Sequence, residues 1–187
     1  MMNKKRTSLA GLGKYALYLP FFAALLLTAD ALGQQYETMQ AIFSVDDVLF
    51  NKDRTTLVAY PNKKASQYVI PSSVTSIRNS AFYGCSGLTS ITIPSSVTSI
   101  ETGAFQYCSS LTSITIPSSV TSFGQSVFYH RNSGLSEIHC QQKVPVSNVD
   151  LSFSGVDKTC KLYVPKGSLD LYAKAKEWRE FATILEE

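Results

Sequence analysis

One heptapeptide, Ile-Pro-Ser-Ser-Val-Thr-Ser, occurs three times in this sequence of 187 residues, beginning at Ile70, Ile93 and Ile116. Successive copies are 23 residues apart. Self-similarity at a fixed period of about 20–50 residues is the signature of stacked structural repeats. One unit of this length cannot bury its own apolar side chains, but it can bury them against a neighbouring copy. The repeat therefore predicts a stack of similar turns that share one core.

The residues before each proline alternate between apolar and polar side chains. In the second copy Ile91 and Ile93 are apolar, whereas Ser90 and Thr92 are polar, which is the pattern of a strand with one buried face. Proline cannot donate to a β ladder, so the strand is expected to end at Pro94. Stacking would place equivalent strands side by side in a parallel sheet. Their inward residues are expected to be Tyr68 and Ile70, Ile114 and Ile116, Ile138 and Cys140, and Leu162 and Val164.

The second half of each repeat supplies the other side of the core. The chain is expected to return through Val97 and Ile100 and then to form a short helical turn. A phenylalanine recurs in this turn in every copy. We therefore predict that Phe82, Phe105 and Phe128 form one column in the shared interior.

The segments on either side of the repeats are expected to close the stack, as terminal units do in repeat proteins. Residues 34–64 contain two β-rich runs around a polar turn at 51–54, which predicts an N-terminal hairpin cap. Its aspartates lack the ligand spacing of an EF-hand, so we interpret them as turn formers. Residues 65–140 are assigned to repeats of about 23 residues, and residues 141–187 to a C-terminal cap of one strand and one helix.

The predicted C-terminal helix begins after Ser168, which can cap it. Its apolar stripe contains Tyr172, Ala175, Trp178 and either Phe181 or Ile184. Trp178 is the only tryptophan and could stack on a ligand. Its place in the stripe favours a core position instead.

The complete pattern, I-P-S-S-V-T-S-I-x-x-x-A-F-x-x-C-S-x-L-T-S-I-T, resembles the BspA-type leucine-rich repeat family. The resemblance extends from about Phe43 to Ile184. It implies an α/β fold: a short leucine-rich-repeat-like solenoid with a parallel β-sheet, an N-terminal β-hairpin cap and a C-terminal helix cap. Members of the family are secreted or surface proteins of anaerobic bacteria and some parasitic protists. The best known are long adhesins and surface antigens that bind host matrix proteins or other microbes, whereas this chain has about three repeats.

Residues 1–33 have the organisation of a secretory signal peptide. Four basic residues precede or border an apolar run of 14 residues at 15–28, and small residues follow up to Gly33. An uncleaved membrane anchor is the alternative, but a spanning helix needs about 18 or more apolar residues. We therefore expect cleavage after Ala31 or Gly33, no stable membrane span thereafter, and export to the cell surface, the medium or the periplasm.

The charge balance excludes one class of partner. The sequence carries 17 lysine and arginine residues against 14 aspartate and glutamate residues, a net charge of +3. Residues 1–33 contain four of the basic residues and one acid, so the remaining 154 residues carry 13 charges of each sign. Nucleic-acid binding needs a basic face that displaces phosphate counterions. We therefore expect no nucleic-acid partner.

The four cysteines allow two interpretations. Cys85 and Cys108 occupy equivalent positions in adjacent repeats, where the distance would permit a disulfide. Buried free cysteine is also common as a small hydrophobic residue, so both states stay open. Cys140 and Cys160 are offset by roughly 13 Å along neighbouring strands in the expected register, which argues against a bond between them. No spacing supports a zinc site, and no cofactor is expected.

His139 is the one candidate for catalysis. Glu137 lies on the same face of its strand, and Ser113 or Thr115 is expected on the adjoining strand. Nucleophilic catalysis needs this kind of acid, base and hydroxyl group. An open sheet surface, however, lacks the pocket and the oxyanion donors that such chemistry requires. We therefore expect a non-enzymatic protein.

The outward side chains of the sheet are the predicted binding site. They are Ser90, Thr92, Ser113, Thr115, Glu137, His139, Lys161 and Tyr163. The hydroxyl groups could simply suit exposed strand positions, or they could bind a protein backbone or a glycan. We expect an adhesin-like module for a protein or glycan partner, from host extracellular matrix or a bacterial envelope. The alternative is a structural surface or matrix component without a ligand face, and the oligomeric state stays open.

Overall fold

The strand pattern of the repeats is present in the computed structural model, which describes residues 42–62, 64–129, 134–147 and 149–187. The strands are β1 Ile42–Val45, β2 Val48–Asn51, β3 Thr56–Ala59, β4 Gln67–Val69, β5 Ser76–Ile77, β6 Ser90–Thr92, β7 Ser99–Ile100, β8 Ser113–Ile116, β9 Ser122–Phe123, β10 Glu137–Cys140, β11 Lys161–Val164 and β12 Thr183–Glu186. One α-helix, α1 Leu169–Lys174, and one 3-10 helix, Trp178–Glu180, follow β11. The predicted signal peptide lies outside the described residues.

The chain coils into a parallel β-solenoid of about five turns. On one side, β4 pairs with β6, and β8, β10, β11 and β12 pair in that order, all in parallel. A backbone hydrogen bond of 3.4 Å from Thr112 N to Thr89 O connects β8 to the turn that contains β6. The outer surface of these six strands is called the front face below. On the other side, β3, β5, β7 and β9 form a second parallel sheet, which β2 and β1 extend in antiparallel orientation.

The heptapeptide makes the turn between the two sheets. Its proline ends the front strand, and the carbonyl of Pro94 then accepts a hydrogen bond of 3.1 Å from Val97 N. The second serine and the threonine bind the preceding turn of the solenoid. Ser96 Oγ donates to Val74 O at 2.7 Å, and Thr98 Oγ1 donates to Thr75 O at 3.2 Å. These hydroxyl groups therefore satisfy backbone carbonyls between turns, which explains why the motif is repeated so closely.

The predicted phenylalanine column is confirmed. Ring centroids of Phe82 and Phe105 lie 5.0 Å apart, and those of Phe105 and Phe128 lie 5.6 Å apart, with interplanar angles of 15° and 9°. Phe153 continues the column, 5.7 Å from Phe128. All four rings are buried. Burying each aromatic side chain contributes roughly 1.5–3 kcal/mol, so the column is a large part of the core.

The first strands differ from the predicted single hairpin. β1, β2 and β3 form a three-stranded antiparallel meander. The additional tight turn lies at Asp46 and Asp47, whose φ angles are +48° and +66°. The predicted turn at 51–54 is present, and Asn51 Oδ1 organises it by accepting hydrogen bonds of 2.9 Å from both Thr55 N and Thr56 N.

The predicted C-terminal helix is much shorter than its apolar stripe indicated. α1 ends at Lys174, and residues 183–186 form the parallel strand β12 beside β11. Ser168 makes no side-chain capping bond. Instead, Glu186 Oε1 accepts hydrogen bonds from Gly167 N at 2.8 Å and Leu169 N at 3.3 Å.

The aromatic residues of the stripe are nevertheless buried as predicted, at Tyr172, Trp178 and Phe181. The indole Nε1 of Trp178 donates to Val146 O at 2.9 Å, so its polar atom is satisfied inside the core.

In the repeats, the short helical turn expected around Phe105 is a pair of overlapping hydrogen-bonded turns and not a helix. In it, Ala104 N donates to Glu101 O, and Gln106 N donates to Gly103 O.

All four cysteines are free and buried, so the disulfide alternative is not realised. Burial raises the pKa of Cys85 and of Cys160 to about 12, and it also raises the pKa of Cys108 and Cys140.

Across the described ranges, no helix is both long enough and apolar enough to cross a bilayer.

Candidate functional site

All eight predicted site residues lie on the front face in two rows across the strands. The first row contains Gln67, Ser90, Ser113, Glu137, Lys161 and Thr183. The second row contains Val69, Thr92, Thr115, His139, Tyr163 and Leu185. The rows arise because side chains alternate along each strand while parallel pairing keeps equivalent residues adjacent. The structure therefore brings the predicted residues together, and their role in binding stays a prediction.

The first half of the front face offers hydroxyl groups that the fold does not use. Ser90, Thr92, Ser113 and Thr115 are exposed or half-buried. Among the described residues, their side chains make no hydrogen bond, in contrast to the serines and threonines that bind the preceding turn. Each hydroxyl group can both donate and accept. This part of the surface can therefore form hydrogen bonds with a partner without breaking any within the fold.

The second half of the front face carries a compact group of aromatic and charged side chains. The rings of His139 and Tyr163 are stacked, with centroids 4.5 Å apart and an angle of 4° between their planes. His139 Nδ1 donates to a carboxylate oxygen of Glu187 at 2.9 Å. Its other nitrogen lies 3.7 Å from Glu137 Oε2, and the Tyr163 hydroxyl donates to Glu137 Oε1 over 3.5 Å. We call these four residues the His139 cluster.

Glu187 is the member of this cluster that sequence reasoning missed. The predicted helix covered this part of the chain, so residues 183–187 were not expected beside β11. The available signal was the β-branched pair Thr183-Ile184, because both residue types favour strands. The same strand adds Thr183 and Leu185 to the two rows. At the opposite end, β4 adds Gln67 and Val69, and Val69 is 69% exposed.

The geometry around His139 does not form the arrangement expected of a nucleophilic site. Within the described residues, neither Ser113 nor Thr115 donates a hydrogen bond to its ring. The imidazole is hydrogen-bonded to Glu187 through Nδ1 at 2.9 Å, and its Nε2 lies 3.7 Å from Glu137 Oε2. No group of three or more His, Cys, Asp or Glu side chains suited to a metal ion occurs in the same parts of the chain.

Two recesses lie away from the front face. One, of about 320 Å³, is lined by Phe153, Phe181 and charged side chains such as Lys158 and Glu180. The other, of about 620 Å³, is lined by residues 118, 120, 121 and 141–147. Neither includes a residue of the two rows. The front face is thus an open surface, which suits an extended ligand better than a small molecule enclosed in a pocket.

Comparison with known proteins identifies the repeat. A family profile described as BspA type Leucine rich repeat region matches residues 57–173 with 6 copies. No curated protein matches the sequence significantly. A leucine-rich repeat protein from Eubacterium ventriosum ATCC 27560 superposes with a TM-score of 0.54 and 26% identity, over 79% of this chain and 40% of that protein. This chain therefore spans two fifths of the length of that relative.

A second crystal structure has the same fold. It is a leucine-rich repeat protein from Bacteroides capillosus ATCC 29799, with a TM-score of 0.55 and 23% identity over 66% of this chain and 98% of that protein. The six matched repeat copies, the parallel solenoid and the column of phenylalanines agree with one another. The chain belongs to the BspA-type leucine-rich repeat family.

Proposed function

We propose that this protein is an exported, non-enzymatic module that binds another protein through the front face. The observation that carries the proposal is the uncommitted surface chemistry of that face. Four hydroxyl groups that bond no described residue lie on this open sheet, and two of them, on Ser113 and Thr115, are register neighbours of Glu137 and His139. Tyrosine is enriched at protein interfaces, and hydroxyl groups can bond the backbone of an extended segment.

Export through residues 1–33, and location at the cell surface or outside the cell, are part of the proposal. Membership in the repeat family supports surface exposure, because the family is one of secreted and surface proteins. We also propose that residues 34–64 and 141–187 cover the two ends of the stack. Terminal units of this kind keep repeat cores from being exposed.

The size of the face limits the affinity. Six strands about 4.8 Å apart span roughly 24 Å between the first and the last. With two rows of side chains, the surface amounts to a few hundred Å², whereas a standard interface takes about 800 Å² from each partner. A single copy should therefore bind weakly. Presentation of several copies, or added contacts from neighbouring loops, would raise the effective affinity.

The test is capture by immobilised protein with a matched pair of variants. The face variant carries Glu137→Ala, His139→Ala, Lys161→Ala and Tyr163→Ala. The control variant carries Lys143→Ala, Lys158→Ala, Leu171→Ala and Glu180→Ala, which are exposed residues outside the two rows. Purified wild-type and variant proteins are exposed to host matrix proteins and to bacterial envelope fractions, and thermal melting is recorded for each.

We expect the wild-type protein and the control variant to capture the same protein, and the face variant to lose at least tenfold in capture while it melts normally. Equal capture by the face variant would contradict the proposal. That result would favour a structural surface or matrix component whose association does not use the front face. If removing the glycans from the captured target abolishes its capture, the front face binds carbohydrate instead.

A further inference from the structure

We propose that the His139 cluster is a subsite for an arginine side chain of the bound protein. This inference rests on the proposed function, because it names the group that the partner places on the front face. The subsite comprises the carboxylates of Glu137 and Glu187 and the stacked rings of His139 and Tyr163.

Within the described part of the chain, the Glu137 carboxylate has no donor closer than 3.5 Å. Its nearest contacts are His139 Nε2 at 3.7 Å and the Tyr163 hydroxyl at 3.5 Å. Charge-assisted hydrogen bonds are normally about 2.7–2.9 Å long. Lys161 is its register neighbour on β11, yet no ion pair within 4.0 Å joins the two side chains in the described structure. Both oxygens of a carboxylate that is 41% exposed are therefore only loosely held and can accept a better donor.

The stacked rings form a wall beside the hydroxyl groups. In the second row, the neighbour of His139 on the side away from Tyr163 is Thr115. The threonine side chain is too short to cover the outer part of the imidazole, and His139 remains 24% exposed. A flat group that lies above Thr115 would continue the stack at the spacing of the strands. Glu187, which is 43% exposed, holds the ring orientation from the opposite nitrogen.

Charge and shape together favour a guanidinium group. The cluster contains two carboxylates, and Lys161 is the one adjacent lysine in its rows. Arginine is planar, stacks on aromatic rings and presents a fork of N–H donors that matches the two oxygens of a carboxylate. A lysine ammonium has the charge without the plane. A phenylalanine ring has the plane without a donor, and tyrosine, tryptophan or neutral histidine offers one donor and no charge, so none of them can bond both oxygens of Glu137.

The test uses N-acetyl-arginine amide as the probe, with N-acetyl-citrulline amide as the neutral analogue of the same shape and N-acetyl-lysine amide as the cation without a plane. Ring resonances of His139 and Tyr163 are followed by NMR in labelled protein. We expect saturable shifts with the arginine probe, at least threefold weaker binding of the lysine probe and no saturable shift with citrulline. Glu137→Gln should weaken arginine binding at least fivefold, whereas Glu180→Gln should leave it unchanged.

Equal shifts with citrulline, or arginine binding that Glu137→Gln does not alter, would overturn the arginine subsite. A neutral methyl glycoside that shifts the same rings in place of arginine would also overturn it. The experiment separates this inference from the proposed function, because it needs no partner protein. If arginine causes no saturable shift while the face variant loses capture, only the subsite is refuted. Arginine binding together with unchanged capture refutes the proposed function and supports the subsite.

Discussion

Ser90 and Ser96 lie in the same repeat, yet their hydroxyl groups have different surroundings. Ser96 Oγ donates to Val74 O of the preceding turn at 2.7 Å, and Ser119 Oγ makes the equivalent bond to Val97 O at 2.7 Å. The side chain of Ser90 points away from the core and bonds no described residue. The same residue type therefore stabilises the stack at one position and remains available to a partner at another.

Replacing these serines separates the two roles. Ser96→Ala or Ser119→Ala should lower the free energy of unfolding by about 1 kcal/mol, because a half-buried carbonyl loses its donor. Ser90→Ala should change it by less than about 0.5 kcal/mol, as is usual for surface substitutions. Urea unfolding of the three variants measures the difference. If all three substitutions lower the unfolding free energy equally, the hydrogen bonds of Ser96 and Ser119 to the preceding turn add no more stability than the exposed Ser90 side chain does.

The surroundings of Gly124 and Gly87 predict different effects of substitution by alanine on stability. A Cβ atom at Gly124 would lie 2.3 Å from Thr102 N and 2.5 Å from Glu101 C, both backbone atoms of the preceding turn. A Cβ atom at Gly87 would meet nothing within 4 Å. Gly124→Ala should therefore cost about 1–3 kcal/mol in unfolding free energy, as overpacking does. Gly87→Ala serves as the control and should unfold at the same urea concentration as the wild type.

The buried thiols predict a loss of stability at alkaline pH. Burial raises the pKa of Cys85 and Cys160 from the ordinary value of 9.0 to about 12 in the folded protein. Because the folded pKa is the higher one, their contribution to stability is complete below the unfolded pKa and is lost as the pH rises towards the folded value. The free energy of unfolding should fall between about pH 9 and pH 11 in reducing buffer.

Urea unfolding at several pH values measures this decline. A Cys85→Ala, Cys160→Ala double variant should show a shallower fall, because fewer buried thiols then titrate. The remaining slope comes from Cys108 and Cys140, whose pKa values burial also raises, and from Tyr68, whose pKa burial raises to about 12. Stability that is constant or rising over this range would contradict the assignment of four protonated, buried thiols.

At the scale of elements, the strands of the repeat could be predicted because three near-identical copies constrain one another. The pairing of Glu137 with Ser113 and of His139 with Thr115 follows from that register alone. The C-terminal segment has no such copies. Its apolar stripe fits a helix, and the buried aromatic residues fill the core whether the backbone is helical or irregular. The pairing of β12 with β11, such as that of Leu162 with Ile184, makes this segment a strand, and that contact is not encoded locally.

The roles of the hydroxyl groups were also beyond prediction from sequence. Whether a serine or threonine binds a carbonyl depends on which backbone atom lies in the neighbouring turn, and the residue types are the same in both cases. The His139 cluster was predicted without Glu187 for the same reason that β12 was missed. The outward row positions, in contrast, follow from alternation and needed no structure.

The short strand β12 and helix α1 support each other through Glu186. Its carboxylate accepts hydrogen bonds from Gly167 N and Leu169 N, at the start of the helix. Glu186→Ala should therefore lower the unfolding free energy by about 1 kcal/mol, and hydrogen exchange at Leu169 should accelerate. Glu180→Ala is the control on the same cap. An unchanged exchange rate at Leu169 in the Glu186 variant would contradict the bond.

At the scale of the whole molecule, the phenylalanine column joins four successive layers of the solenoid, at Phe82, Phe105, Phe128 and Phe153. Phe105 contacts rings on both sides, at 5.0 Å and 5.6 Å. Phe105→Ala should cost about 3–5 kcal/mol, because it removes a buried aromatic side chain and leaves a cavity. Tyr83→Ala, at an exposed aromatic residue, should cost much less. Melting temperatures of the two variants measure this difference in stability. Equal values would mean that the column contributes no more to stability than an exposed aromatic residue.

In the repeats, hydroxyl groups of one turn donate hydrogen bonds to carbonyl groups of the turn before it, and carbonyl groups of the same turn accept hydrogen bonds from the turn after it. An in-frame duplication of 23 codons would therefore insert a layer that brings its own donors, its own acceptors and one more stacked ring. No neighbouring layer would need compensating changes. The length of the molecule, and with it the reach of its outer surface, can thus evolve by copying alone.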